Sequence, residues 1–322
     1  MKHCRLLLLG LILSSFTIAC TKDDPIPSPD SSVTLSCKQP EYLKAGDKVA
    51  LISPSYFTPM ENVEKTAEVL RGWGLEPVMG PNVGKVVDGR YAGTVAERVS
   101  DITTLHGLWT RAGVMSIHGT MSSFLAAGGT DKTSTLMRDI LLGKVPKYEI
   151  PAHPQNVTGK ASGILVGGNI CTFAPNLGTQ ADATLGKDII LFIEEVEESM
   201  HNIDRQFNIL AINGVLDRCK GVILGEFTDC GTEFTFENCE EMLRQYLVKY
   251  NIPVLCGFPA GHGDVNLGGP VTIDVRSDGA TFQFNIDGEQ QTVKTSEITA
   301  AKTSLSKRLM LSGKKTFVDN EK

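Results

Sequence analysis

Apolar residues along this chain switch between two periods. Asp47-Lys48-Val49-Ala50-Leu51-Ile52-Ser53-Pro54 is a short apolar run stopped by proline, the pattern of a buried strand. Glu61 to Trp73 then sets Val63, Ala67, Leu70 and Trp73 at helical spacing with Gly74 as a stop, and Leu75 to Met79 is a short strand candidate. Strand, helix, strand opens an α/β layer. A second helix is predicted from Val95 to about Arg111: Thr94 and Glu97 fit a capping box, and Val95, Val99, Ile102, His106 and Trp109 recur every three or four residues. Val114 to Ile117 reads as a strand that delivers His118 at its end.

A short helix over Ser134 to Leu142 and a proline-containing linker up to Lys160 put the main boundary near residue 150. The second half alternates again. Ala161 to Asn169 is apolar and glycine-rich, Asp188 to Ile193 is a buried strand with Glu194 and Glu195 at its carboxyl end, and a helix starts at Ile203. Gly221 to Gly225 and Pro253 to Cys256 are strands around a helix from Phe236 to Tyr250. Val271–Val275 and Ala280–Ile286 form a hairpin turned at Asp278-Gly279, and beyond Thr295 the signal fades. The expected division is a signal over 1–20, a tether over 21–42, an N-terminal α/β domain over 43–150, a mixed α/β domain with a terminal β-hairpin over 151–295, and a tail over 296–322.

With 322 residues, 41% of them hydrophobic, the chain can furnish a sizeable core. A net charge of -6 without a long basic block argues against a nucleic-acid partner. Lys2, Arg5, the apolar run Leu6–Leu13 and Thr17-Ile18-Ala19-Cys20 have the layout of a bacterial export signal, with a core too short to span a bilayer. Cys20 is a candidate lipidation site that would anchor the chain to a membrane in the cell envelope; the alternative is plain secretion after cleavage at Ala19. The Pro, Asp and Ser-rich stretch from Asp23 to about Ser32 suits an extended tether. Export permits disulfides, and Cys230 with Cys239 could close a short loop. The cysteines and histidines show no metal-ligand spacing, and Gly167-Gly168 is no dinucleotide fingerprint.

His118, Glu194 and His262 each follow an apolar strand or open a turn, where loop geometry can aim a side chain that a sheet holds still. A serine nucleophile needs a base within hydrogen-bond reach and a carboxylate that orients the base. Ser100, His262 and Glu194 supply those groups, although Ser100 equally suits the second turn of the capped helix and Glu194 a solvated strand end.

Several segments taken in order resemble the LD-carboxypeptidase family of serine peptidases, which includes muramoyltetrapeptide carboxypeptidases and microcin-immunity peptidases. They are Ile52-Ser53-Pro54-Ser55, Gly89-Arg90-Tyr91-Ala92-Gly93-Thr94, Ser100 to His106, His118-Gly119-Thr120-Met121, Gly167-Gly168-Asn169, Leu191 to Glu195 with Ile203-Asp204-Arg205, and Gly257 to Gly263. The resemblance implies a two-part α/β fold, with Ser100 as nucleophile, Glu194 as orienting carboxylate and His262 as general base. It implies release of a terminal D-Ala from a murein tetrapeptide, or cleavage of another peptide ending in a D-amino acid, without a metal or organic cofactor. His118 would line the cleft or cap its strand; Arg205 would hold the substrate carboxylate or pair with Asp204 or a helix neighbour. A homodimer stays open.

The chain also departs from the family. Arg98-Val99 joins directly to Ser100 where the family has two strands and a glycine turn, so about forty residues of sheet scaffold are expected to be missing and neighbouring apolar strands left uncovered. An oxyanion donor is worth about 3 to 4 kcal/mol and a nucleophile misplaced by about 1 Å costs about a hundredfold. Impaired activity is the expectation, and a non-catalytic binder of murein peptides or an inactive relic is the alternative.

Overall fold

The computed structural model describes residues 37–53, 56–97, 113–115, 117–118, 125–179, 182–186, 188–231, 235–261, 266–267 and 270–298. The expected signal, Cys20, most of the tether, Ser100 and His262 lie outside the described residues.

The N-terminal layer begins as its periodicity predicts. Strand β1 (Lys48–Leu51), helix α1 (Met60–Gly72) and strand β2 (Glu76–Met79) form a parallel βαβ unit in which Val63, Ala67 and Leu70 are the buried helix stripe. Gly74, at φ +85, turns the chain from α1 into β2 in the left-handed region. The capping box also forms. Thr94 N donates to Glu97 Oε2 at 2.8 Å and Glu97 N to Thr94 Oγ1 at 3.4 Å, opening a helical turn at Val95–Glu97. The remainder of that predicted helix is outside the described residues.

Strand β3 (Ile117–His118) follows, then helix α2 (Lys132–Leu141), started by the Asp131 side chain accepting from Ser134 N at 2.9 Å. The linker expected between α2 and Lys160 is largely a strand, β4 (Lys144–Pro151), and it carries the sheet straight through the boundary drawn near residue 150. Val145, Tyr148 and Ile150 bury themselves from this strand while Lys144 and Glu149 stay exposed, so Pro146 and Pro151, two of the prolines of that segment, sit within a sheet.

After β4 come β5 (Gly159–Asn169), β6 (Ile189–Val196), helix α3 (Met200–Ile212), β7 (Cys219–Thr228), helix α4 (Cys239–Leu247) and β8 (Val254–Cys256). Strands β9 (Asn266–Leu267), β10 (Pro270–Arg276), β11 (Gly279–Phe284) and β12 (Glu289–Lys294) complete the set. One eight-stranded sheet runs β12-β4-β11-β10-β5-β6-β7-β8. Strands β5 to β8 are mutually parallel, whereas β10 and β11 form the expected antiparallel hairpin. This mixed α/β architecture agrees with the expected fold class; β12, too polar to stand out in sequence, closes the sheet in parallel with β4.

Alternate residues of β6 feed two cores. Ile189, Leu191 and Ile193 pack under α3 and α4 with Phe207, Leu210 and Leu243. Ile190 and Phe192 face the other side, where α2 and the aromatic group Tyr148, Phe258, Phe282 and Phe284 lie. Phe258 and Phe282 meet edge to face at 5.1 Å, and each fully buried ring stabilises the fold by about 2 to 3 kcal/mol.

Candidate functional site

The carboxyl ends of β5, β6, β7 and β8 lie side by side, and the two carboxylates after the apolar run of β6 part there to opposite faces. Both are buried, Glu194 at 0% and Glu195 at 3% exposure, so each has been removed from water and needs polar surroundings. Glu195 has them on the α3 side. It accepts hydrogen bonds from the Asn169 amide, from Cys171 N at 3.2 Å and from Val196 N at 2.9 Å. Asn169 in turn caps the helical turn after β5 by accepting from Thr172 N at 3.2 Å. The Gly167-Gly168-Asn169 segment thus positions a carboxylate, which its glycine content alone did not indicate.

Glu194 shares the other face with Phe192. A Cβ placed on Gly261 would stand 3.5 Å from Glu194 Oε2 and 3.3 Å from Glu226 Oε2, so the residue preceding His262 passes against two carboxylates. The approach is possible because small residues make the contact. A Cβ on Gly225 would collide with Ala260 O, and in its absence Glu226 N donates to that carbonyl at 3.0 Å. Glu226 was not singled out from sequence. Its signal was nevertheless present, since it follows the apolar run of β7 as Glu194 follows that of β6.

The segment leading to His262 is held at its root. Phe258 is buried among the aromatic rings and its N–H donates to Leu224 O at 3.3 Å. The chain between β4 and β5 crosses to the edge of β8, where Val157 and Val254 exchange backbone bonds of 3.0 and 3.1 Å. Asn156 Oδ1 accepts from Cys256 N at 2.8 Å, and the His153 ring lies 3.3 Å from where a Gly257 Cβ would be. This strap covers an edge that would otherwise be open and fixes the start of the His262 loop.

The other sequence candidates are distributed unevenly. His118 ends β3 and is the register partner of Asn266 in β9, so its backbone lies beside the chain just after His262. Arg205 is exposed on α3, a helix that packs on the opposite sheet face from Glu194, and its Nε donates to His201 O at 3.3 Å. The structure does not bring Arg205 to Glu194. Nor does Asp204 pair with it in the described hydrogen bonds: Asp204 accepts from Tyr246 Oη at 2.6 Å, joining α3 to α4, and burial first, then this carboxylate, push the tyrosine up to about 12.

Comparison with known proteins places this geometry. Residues 162–276, which contain Glu194, Glu226 and the whole His262 loop, match the LD-carboxypeptidase C-terminal domain. A carboxypeptidase-like protein of Streptomyces coelicolor is 26% identical, with 77% of this chain and 96% of that protein covered. That alignment runs over 300 positions while taking in 77% of a 322-residue chain, so about 50 positions of the relative have no counterpart, consistent with an internal deletion. The murein tetrapeptide carboxypeptidase of Pseudomonas aeruginosa is 26% identical over 183 residues, 53% of this chain and 58% of the relative. Among solved structures, the microcin C7 self-immunity protein without ligand superposes with a TM-score of 0.63 at 19% identity, covering 78% of this chain and 98% of the other. The muramoyltetrapeptide carboxypeptidase of Oxalobacter formigenes gives 0.63 at 17% identity, covering 75% and 99%. The sequence matches across the domain that carries Glu194 and the His262 loop, on a shared fold, make this chain a homologue of the LD-carboxypeptidase family of serine peptidases.

Proposed function

We propose that the protein is a serine-type carboxypeptidase of the cell envelope that releases the terminal D-Ala of a murein tetrapeptide, at a reduced rate. The observation that carries the reading is the buried Glu194 carboxylate against Gly261, the neighbour of His262. In this reading Glu194 keeps the imidazole of His262 in the tautomer that accepts a proton, and Glu226 adds a second negative charge that favours the imidazolium formed during reaction. His262 takes the hydroxyl proton of Ser100, the serine oxygen attacks the carbonyl before the D-residue, and the protonated imidazole returns its proton to the departing amine. Water then attacks the acyl-enzyme, with His262 again as base. In this reading His118, whose backbone pairs with Asn266, would line the substrate cleft. Arg205 has no part in this scheme, because it lies on the far face of the sheet. Lipid attachment at Cys20 would hold the enzyme at the membrane surface near its polymeric substrate.

A second reading, a murein-peptide binder without turnover, is favoured by the length deficit against the Streptomyces relative, if the missing block is the scaffold before Ser100. One experiment separates the two. Purified protein is incubated with a tetrapeptide ending in D-Ala, beside Ser100→Ala and His262→Ala variants. Release of D-Ala that both substitutions abolish is expected; saturable binding with no release would replace the enzyme reading by the binder.

A further inference from the structure

We propose that the groove between α3 and α4 binds a small zwitterion carried on an apolar body, as in a free amino acid or short peptide with a hydrophobic side chain. A cavity of about 380 Å³ opens there, lined by Asp204, Phe236, Met242, Gln245, Tyr246 and Lys249. Small-molecule sites of about 300 to 1,000 Å³ pair an apolar lining with a few placed polar groups. The groove lies on the sheet face opposite Glu194, apart from the proposed peptidase site.

Its apolar part comes from packing that the fold already needs. Met242, 3% exposed, belongs to the core under α4, and the half-buried Phe236 and Tyr246 rings pack against that core. Tyr246 is held from two sides: its ring meets Phe207 edge to face at 5.4 Å, and its hydroxyl donates to Asp204 Oδ1 at 2.6 Å. A carboxylate offers about four acceptor positions, so this bond places Asp204 at the rim and leaves it room for further donors. Lys249 comes from the 3-10 turn Val248–Tyr250 that follows α4, its Nζ 4.9 Å from the Tyr250 ring centroid. Among the described residues Asp204 forms no ion pair with a lysine or arginine, and Lys249 none with a carboxylate. A negative and a positive group thus border one apolar cavity without neutralising each other. A ligand ammonium would bond to Asp204 and Tyr246 Oη, a ligand carboxylate to Lys249, and the hydrophobic side chain would cover Met242 and the two rings. A simple amine would be repelled by Lys249 and a simple acid by Asp204, so the pair selects for both charges together. The site also gives a role to Asp204 of the Ile203-Asp204-Arg205 segment, which the catalytic scheme does not use.

The proposal does not rest on the peptidase reading, and failure of either leaves the other standing. The test titrates the folded full chain with L-phenylalanine and with alanylphenylalanine, followed by amide and methionine-methyl NMR signals. Saturable shifts at Met242, Gln245 and Tyr246 are expected, with a dissociation constant of about 1 mM for contacts to solvent-exposed charges. The tighter of the two probes shows whether the free amino acid or the peptide is the occupant. Phenethylamine and 3-phenylpropionate, which each lack one charge, should bind about fivefold or more weakly. Asp204→Asn and Lys249→Ala should lose affinity for the zwitterion by a similar factor, whereas Arg205→Ala, on the same helix but outside the lining, should bind as the wild type does. Absence of saturable shifts at these residues, or binding of the single-charge analogues as tight as that of the zwitterions, would overturn the proposal. The analogue series uses the wild-type chain and stands even where a variant fails to fold.

Discussion

Strands β6 and β7 are parallel neighbours whose residues Ile189, Ile193, Val222 and Leu224 have no solvent exposure, whereas in the parallel pair β1 and β2 Val78 remains 43% and Met79 40% exposed. A parallel sheet normally needs cover on both faces. The C-terminal unit has it, from α3 and α4 on one side and from α2 with the aromatic group on the other. Among the described residues the N-terminal unit has α1. Of the ten most exposed large hydrophobic residues among those described, seven lie between Tyr56 and Val95, which is what a layer that has lost neighbouring strands would leave. In the proposed reading, the site is divided in the same way: the orienting carboxylate and the base loop come from the closed unit, and the nucleophile from the chain that follows the open one.

Truncating one side chain in each unit should separate them most strongly. Phe282→Ala removes a ring packed on Tyr148, Phe258 and Phe284 and should cost about 3 to 5 kcal/mol, whereas Val78→Ala in β2 should stay within about 0.5 kcal/mol. Denaturant unfolding measures both, and comparable losses would mean that the two units are equally consolidated.

Asn156→Ala probes the strap with a smaller effect. Loss of the acceptor for Cys256 N should destabilise the protein by about 1 kcal/mol and speed hydrogen exchange at Cys256, leaving exchange in β1 unchanged. An unaltered Cys256 amide would show that the strap does not hold the root of the His262 loop.

The smallest effect belongs to the open unit. Hydrogen bonds from Lys85 and from Thr94 hold Glu97 well below the usual carboxylate range, at about 2. A depressed folded-state value means that this contribution is present above the unfolded carboxylate pKa and is lost as pH falls toward about 2. Local order at Val95–Glu97, read by amide chemical shifts between neutral and acidic pH, should fade over that window in the wild type and be absent at all pH values in Glu97→Ala. A pH-independent wild type would contradict the capping box.

Sequence made the closed unit easier to read than the open one, for physical reasons. Continuous apolar runs such as Ile189–Ile193 have few alternatives to a buried parallel strand, and Asp278-Gly279 names its own turn. β4 and β12 were hidden because their place depends on partners distant in sequence: Lys147 pairs with Gln283 on one side and Thr292 on the other. For the site, Glu194 was visible at the end of an apolar run. Glu226, Asn156 and the Asn169–Glu195 pair were not, since each acts through a backbone or side chain 26 or more residues away, and only folding shows the meeting.

The decisive measurement is the rate of D-Ala release from a murein tetrapeptide, taken side by side with the Pseudomonas aeruginosa murein tetrapeptide carboxypeptidase. If His262 in the closed unit is the base and Ser100 after the open one the nucleophile, as proposed, release is abolished by His262→Ala and slower than that relative by about a hundredfold or more. A rate equal to the relative's would contradict it, by showing that Ser100 is aimed as well as in a complete enzyme.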